Sequence, residues 1–318
     1  MEASRFGLAK PGAVMEESIE KERRMFRDDG GRRVRQPAVA GMFYGADTDE
    51  LRAEIERCFL SPYGPGRLPM PNPEGPRRIV GLVSPHAGLT YSGPTAAHGY
   101  YRLAEDGLPE VAVLIGVNHR GYGAPVAVDT QPVWRTPLGD TEIDLDTARK
   151  IASLSRYAEE DELAHRLEHS LEVQVPFLQY TGGGRIRMVP VLMGVPVWDK
   201  NALSVAEDVG ESVAQAVAGR NAVVIASTDM SHYESRESAE RKDSQAIRHI
   251  LDLDEGGLLE TVRDLDISMC GVVPVAAALA ACRHLGVKSA AQLAYSTSGD
   301  ITGDYSQVVG YTAIELDR

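Results

Sequence analysis

The sequence predicts an α/β domain with a central, mostly parallel sheet and helices on both faces. Three observations carry that expectation. The runs 111–117 (VAVLIGV) and 222–226 (AVVIA) are apolar throughout, without the alternation of a half-exposed strand, as strands covered on both sides should be. Segments of helical spacing separate these runs, so the strands need crossover connections, and right-handed βαβ crossovers give parallel neighbours. Clusters of turn residues close each run, as at Asn118–Gly121 and Ser227–His232.

In chain order, residues 1–35 are crowded with charge (Glu16, Glu17, Glu20, Lys21, Glu22, Arg23, Arg24, Arg27, Asp28, Asp29) and carry the pair Gly30-Gly31. Such a stretch buries little and is expected to be a loosely ordered extension, with a single domain over 36–318. Leu51, Ile55, Cys58 and Phe59 recur at helical spacing over 48–60, before a loop over 61–76 rich in proline and glycine. An apolar run at 78–83 reads as a strand and 94–104 as a helix. The strand 111–117 follows, then a weaker strand at 126–128 and helices at 147–154 and 159–180. Next come a strand at 186–193, a helix at 203–218 and the strand 222–226. Helical spacing returns over 238–251, 258–265 and 272–285, and strands at 291–295 and 308–315 close the chain.

Composition bounds the function. Asp and Glu number 46 against 33 Lys and Arg, a formal charge of −13, with 43% hydrophobic and 25% charged residues. That balance suits an ordinary globular protein, and its acidity opposes nucleic acid and anionic membranes as partners. The longest apolar stretch, 271–282, falls short of the roughly 20 residues needed to span a bilayer. The charged N-terminus lacks the apolar segment of a signal peptide. Three scattered cysteines (Cys58, Cys270, Cys282) form neither a disulfide framework nor a metal knuckle, so a cytoplasmic protein with reduced thiols is expected.

Chemistry is expected where strands end. The run 78–83 leads into Ser84-Pro85-His86-Ala87-Gly88, 111–117 into Asn118-His119-Arg120-Gly121, and 222–226 into Ser227-Thr228-Asp229-Met230-Ser231-His232. Parallel strands bring their carboxyl ends to one edge, where α/β sheets bind ligands, so His86, His119, Asp229 and His232 can converge. Histidine is both a common metal ligand and the usual general base. Taken singly each would pass as a turn residue; three histidines at equivalent strand ends argue for a site. Cys270 directly precedes the apolar segment 272–285, where a helix N-terminus would favour its thiolate. Cys282 and Cys58 lie on apolar stripes and read as core.

One competing pattern is His165-Arg166-Leu167-Glu168-His169, the H-x-x-E-H of inverted zinc peptidases. If 159–180 is helical, Leu163, Leu167, Leu171, Val175 and Leu178 form its apolar stripe, and His165, Glu168, His169 and Glu172 a solvated face. The match is short and lacks a separate third ligand. No phosphate-binding glycine loop follows a strand, and no serine elbow is present.

The same residues carry a resemblance. Pro37-Ala-Val-Ala-Gly-Met-Phe-Tyr44, Ser84-Pro-His-Ala-Gly-Leu-Thr-Tyr-Ser-Gly93, Gly116-Val-Asn-His119, Arg135-Thr-Pro-Leu138, Glu168-His-Ser-Leu-Glu172, Ser227-Thr-Asp-Met-Ser-His232 and Met269-Cys-Gly271 stand in the order seen in Memo-like proteins. In bacteria and archaea these are called AmmeMemoRadiSam system protein B. The resemblance runs from Gln36 to the C-terminus and implies a fold similar to the catalytic subunit of class III extradiol dioxygenases, which hold Fe(II) with two histidines and a glutamate. It implies a metal site of His86, His119 and Cys270, with Asp229 and His232 in the same cleft as proton-handling residues. Tyr91, Asn118, Glu168 and His169 fall in its motifs and would line or support the cleft. Exchanging carboxylate for thiolate softens the ligand set and argues against ring cleavage.

The reading that follows is a redox metalloenzyme of unknown substrate holding one metal ion, iron or copper in preference to zinc. A zinc hydrolase and a non-catalytic module that binds a peptide or protein in the same cleft are its alternatives. The family name also implies association with a radical-SAM protein and a small companion domain.

Overall fold

A computed structural model describes residues 31–318. Most of the charged segment expected to be an extension, residues 1–30, therefore lies outside the described residues. The first strand, β1 (Val34–Arg35), pairs in parallel with Val133 and Trp134, and both its side chains are buried. Val34 and Arg35, just before the expected boundary at 36, are thus part of the fold.

The order of elements is α1 (Thr48–Leu60), β2 (Ile79–Ser84), α2 (Leu89–Asp106), β3 (Val111–Val117), β4 (Val126–Val128), then β5 (Val133–Thr136) and β6 (Gly139–Glu142). There follow α3 (Leu145–Leu154), β7 (Ala158–Glu160), α4 (Gln174–Gly182), β8 (Arg187–Met193), α5 (Ala202–Val217), β9 (Ala222–Ser227) and β10 (His232–Glu234). The chain closes with α6 (Arg236–Leu251), α7 (Glu255–Asp264), α8 (Val272–His284), β11 (Ser289–Thr297), α9 (Gly299–Thr302) and β12 (Val308–Asp317). Asp47 caps α1 by accepting the Glu50 N–H, and the helix buries Leu51, Ile55, Cys58 and Phe59, the stripe its spacing predicts.

One nine-stranded sheet forms the centre, in the order β10-β12-β2-β9-β3-β8-β4-β7, with β11 also paired to β12. A small second sheet joins β1, β5 and β6. The four central strands β2, β9, β3 and β8 are parallel. Both margins join this centre antiparallel, β12 to β2 and β4 to β8; beyond them β11 pairs antiparallel with β12 and β7 in parallel with β4. The expected parallel order therefore holds at the centre and gives way to a mixed sheet outside it. Between β11 and β12 there is no room for a crossover helix, since α9 is only four residues long, so these strands turn back on one another.

Right-handed crossovers fix the two helical layers. The path from β2 to β3 steps one way across the sheet and the path from β8 to β9 steps the other, which puts α2 and α5 on opposite faces. The buried α8 packs with α5 on one face. Helix α2 packs with α1 and α4 on the other. Close approach of α8 to the sheet depends on Gly81: a Cβ there would lie 2.5 Å from Cys282 Sγ and 2.8 Å from Leu316 Cδ1. Cys282 is wholly buried at that contact, as a core residue.

The helix expected over 159–180 forms only from Gln174 onward. Residues 158–160 belong to β7, tight turns follow, and α4 begins only at Gln174. Exposure is also reversed relative to a solvated polar face. Leu163 and Leu167 are 54% and 50% exposed, whereas His165, Glu168 and Glu172 are buried. The cause is a charged partner far away in sequence. The Arg35 guanidinium donates from Nε to the His165 carbonyl (2.8 Å) and from Nη2 to the Glu168 carbonyl (2.7 Å), taking acceptors a helix would use. Its Nη1 meets Glu172 Oε2 at 2.6 Å, and the Trp134 ring lies 4.0 Å below the cation. Glu172 completes its shell with the N–H groups of Ala38 and Val39 and the Tyr44 hydroxyl.

Burying this pair makes it costly to break, because either partner left alone is an uncompensated charge away from water. Glu172→Gln should lower unfolding free energy by about 3–5 kcal/mol in urea titrations. A loss within about 0.5 kcal/mol, the range of ordinary surface substitutions, would show that the pair is not the clamp described here.

Candidate metal centre

The parallel centre of the sheet sets the site. Ser84 at the end of β2 stands in register with Ser227 at the end of β9, so the loops bearing His86 and Asp229 leave the sheet at one level. The loop after β3 brings His119 to the same edge, and Cys270 lies just before α8. His86 Nε2 is 3.4 Å from Cys270 Sγ. The His86 and His119 rings are 5.3 Å apart at 81°. One donor atom each from His86, His119 and Cys270 lies within 4.8 Å of the other two. The three residues expected to share a site are thus brought together.

Hydrogen bonding decides which face each imidazole presents. Ser227 Oγ gives its only hydrogen to the Ser170 carbonyl (2.6 Å) and accepts from Gln174 Nε2 (2.8 Å). Its contact with His86 Nδ1 at 3.0 Å must then be a ring N–H donated to the serine, which leaves a lone pair on Nε2 facing Cys270. Gln174 is itself fixed, donating to the Pro85 carbonyl (2.9 Å) and accepting from the Tyr100 hydroxyl (2.7 Å). Burial, then the nearby His119, pushes His86 down to about 3, so it stays neutral.

Glu168 does the same for His119. Its carboxylate accepts the His119 backbone N–H (2.6 Å), His119 Nδ1 (2.9 Å) and the N–H groups of His169 and Ser170 (2.8 Å each). Burial acts to raise its pKa, but the His119 hydrogen bond and charge outweigh burial and hold it near 2. An ionised carboxylate only accepts, so His119 carries its hydrogen on Nδ1 and keeps Nε2 free. This carboxylate–imidazole pairing is the arrangement that orients metal-binding histidines. His169, Glu168 and His119 also bring donor atoms within 4.8 Å, yet the Glu168 oxygens are already occupied by these N–H groups. His169 is packed as a wall, stacked on His119 (4.6 Å, 14°) with Phe43 also 4.6 Å away. Burial, then His86, holds it down to about 4.

Cys270 departs from the expected thiolate. Burial, then the Asp229 charge, pushes its thiol up to about 12. The Asp229 N–H points at the sulfur (3.3 Å), but Gly271 N–H is spent on Thr228 Oγ1 (3.0 Å), and α8 starts only at Val272. Desolvation therefore outweighs the helix dipole. Gly271 is required here: a Cβ would fall 2.6 Å from the Ser227 carbonyl oxygen, so only glycine lets Cys270 sit against the end of β9.

Asp229 and His232 do not form a hydrogen-bonded pair. Asp229 Oδ1 accepts the His86 backbone N–H (2.8 Å), and burial raises its pKa against that bond and the charge of His232. His232 Nδ1 lies 2.8 Å from the Ser268 carbonyl, so it donates there and leaves Nε2 as the basic nitrogen. Asn118 braces the loop after His119, bonding the Tyr122 carbonyl (2.8 Å) and the Gly121 N–H (2.9 Å). Tyr91 is 42% exposed in the first turn of α2. His165, the first residue of the peptidase-like pattern, is buried away from the cluster with Nε2 on the Ala127 carbonyl (3.1 Å). Phe43, Gln174 and Ser227 have no role assigned from the sequence; the one signal for Gln174 is an amide opening a helix directly before the apolar run Val175–Leu178.

These features define a class: an α/β domain with two tautomer-fixed imidazoles and a thiol gathered at the carboxyl edge of its parallel strands. The Memo-like protein family matches residues 35–315, and the chain belongs to that family. A MEMO1 family protein of Methanopyrus kandleri is 49% identical over 286 residues, covering 89% of this chain and 99% of that protein. MEMO1 family proteins of Methanothermobacter thermautotrophicus (46%; 87% of this chain and 98% of that protein) and Ignicoccus hospitalis (44%; 89% and 98%) are similar throughout as well. An uncharacterized protein of Escherichia coli K12 superposes with a TM-score of 0.49 at 11% identity, over 75% of this chain and all of that one.

The donor set fits a metal ion, since two imidazoles with Nδ1 committed elsewhere and one thiol converge. Glu168→Gln and Ser227→Ala each remove an orienting partner and should weaken metal affinity by about 10–100-fold. Competition against a chromogenic chelator measures this, and affinities equal to the parent's would show that the orienting bonds are incidental.

Proposed function

We propose that the protein is a metal-dependent oxidoreductase in which His86, His119 and Cys270 hold one iron or copper ion. The observation supporting this is the convergence of their three donor atoms within 4.8 Å, both histidines having their other nitrogen committed elsewhere. A thiolate with two imidazoles is a soft, mixed set that suits iron, copper or zinc and disfavours magnesium, calcium and manganese. Bound there, iron or copper supplies one-electron chemistry and an open coordination position for a small substrate.

The chain's own residues handle position and protons. His232 Nε2 takes up or returns a proton at the substrate, its ring aimed by the Ser268 carbonyl. Asp229 positions the cluster, its carboxylate on the His86 backbone and its N–H on the Cys270 sulfur. His169 and Phe43 wall off one side and keep water from the imidazoles.

Protein prepared without a metal-binding tag should contain redox-active iron or copper at a single ion per chain by elemental analysis. Cys270→Ser should lose it, while Cys58→Ser and Cys282→Ser retain it. Because the free thiol titrates near 12, metal uptake must release the Cys270 proton, so affinity should rise with pH by up to about tenfold per unit across the neutral range. Cys270→Ser should flatten that rise. Zinc at the same stoichiometry would support the hydrolase reading instead. Failure to take up any metal on reconstitution would leave a binding module.

A further inference from the structure

Beside the imidazole–thiol cluster lies a groove of about 410 Å³. One wall is the segment after β8, including Val195 and Val197; the other is Ile267, Met269 and the first turn of α8. Asn118 and Cys270 also line it, so the groove abuts the cluster. Only two of its lining residues are charged, Arg263 and Asp266, and both are exposed, which confines charge to the solvent end. Two of the polar side chains lining it, Asn118 and Ser268, hold the protein's own backbone. The Asn118 amide is spent on its own loop, and Ser268 Oγ accepts the His232 N–H at 2.7 Å.

We propose that this groove takes the apolar arm of a small-molecule substrate whose polar end sits at His86, His119 and Cys270. The inference rests on the metal reading above and adds the substrate's shape and chemistry. A charge midway along the arm would give up water against Val117, Met193, Ile267, Val272 and Val273, a loss that an apolar chain does not suffer. The volume is in the range of small-molecule sites, about 300–1,000 Å³, and most of the side chains lining the groove are apolar. Val195 and Val197, half-buried on the loop side, set how long an arm fits.

The test is a series of straight-chain alkanohydroxamates, from acetohydroxamate to octanohydroxamate, titrated into metal-loaded protein by calorimetry. Hydroxamate is a metal-binding head, and each added methylene should tighten binding about three- to fourfold until the groove is full. Val197→Asp should flatten the series while leaving acetohydroxamate affinity at the parent value. Acetohydroxamate binding with no chain-length dependence in the parent would overturn the groove assignment and keep the metal reading. A slope that survives Val197→Asp would place the arm elsewhere and overturn the assignment too. Acetohydroxamate that fails to bind, or binds metal-free protein equally well, would overturn the metal reading and the groove assignment with it.

Discussion

A buried ion pair between Arg35 and Glu172 fixes the segment on which the rest of the site depends. Residues 161–173 carry Glu168 and His169 yet have no regular secondary structure to hold them. Their backbone acceptors must find other donors, and the Arg35 guanidinium supplies two of them while its charge is balanced by Glu172. Glu172 in turn gathers the N–H groups of Ala38 and Val39 and the Tyr44 hydroxyl, so one carboxylate ties the N-terminal motif to the cleft wall. Phe43, one residue before Tyr44, is thereby brought against His169.

From that scaffold, chemistry follows by successive constraint. The ionised Glu168 can only accept, so His119 must donate from Nδ1; Ser227 has no hydrogen to spare, so His86 must donate as well. Each ring then presents Nε2 without needing a metal to impose it. Desolvation keeps His86 neutral and the Cys270 thiol protonated. With His86 neutral and the Cys270 thiol protonated, a bound cation would exchange for the thiol proton.

Much of this arrangement was legible in the amino-acid sequence because the central strands are long apolar runs with sharp ends. Strands buried on both faces leave little ambiguity, and the carboxyl-edge rule then gathers His86, His119 and Asp229 from distant positions. The misreading at 159–180 has an equally physical origin. Its leucine spacing imitates an amphipathic helix, and only a guanidinium more than a hundred residues away makes the polar side the buried one. Gln174 and Ser227 were invisible for a related reason: their roles lie in which hydrogen goes where, a property of four converging segments and of no local pattern. The raised Cys270 pKa is not legible, because a helix start can be read from sequence whereas the desolvation that outweighs it cannot.

X-ray absorption at the iron or copper edge of metal-loaded protein reads the ligands of the proposed centre. The spectrum should show a coordination shell with one sulfur and two imidazoles, and the sulfur should vanish in Cys270→Ser while Cys282→Ser leaves the spectrum unchanged. A shell of nitrogen and oxygen alone in the parent protein would contradict the proposed centre, placing the metal away from Cys270.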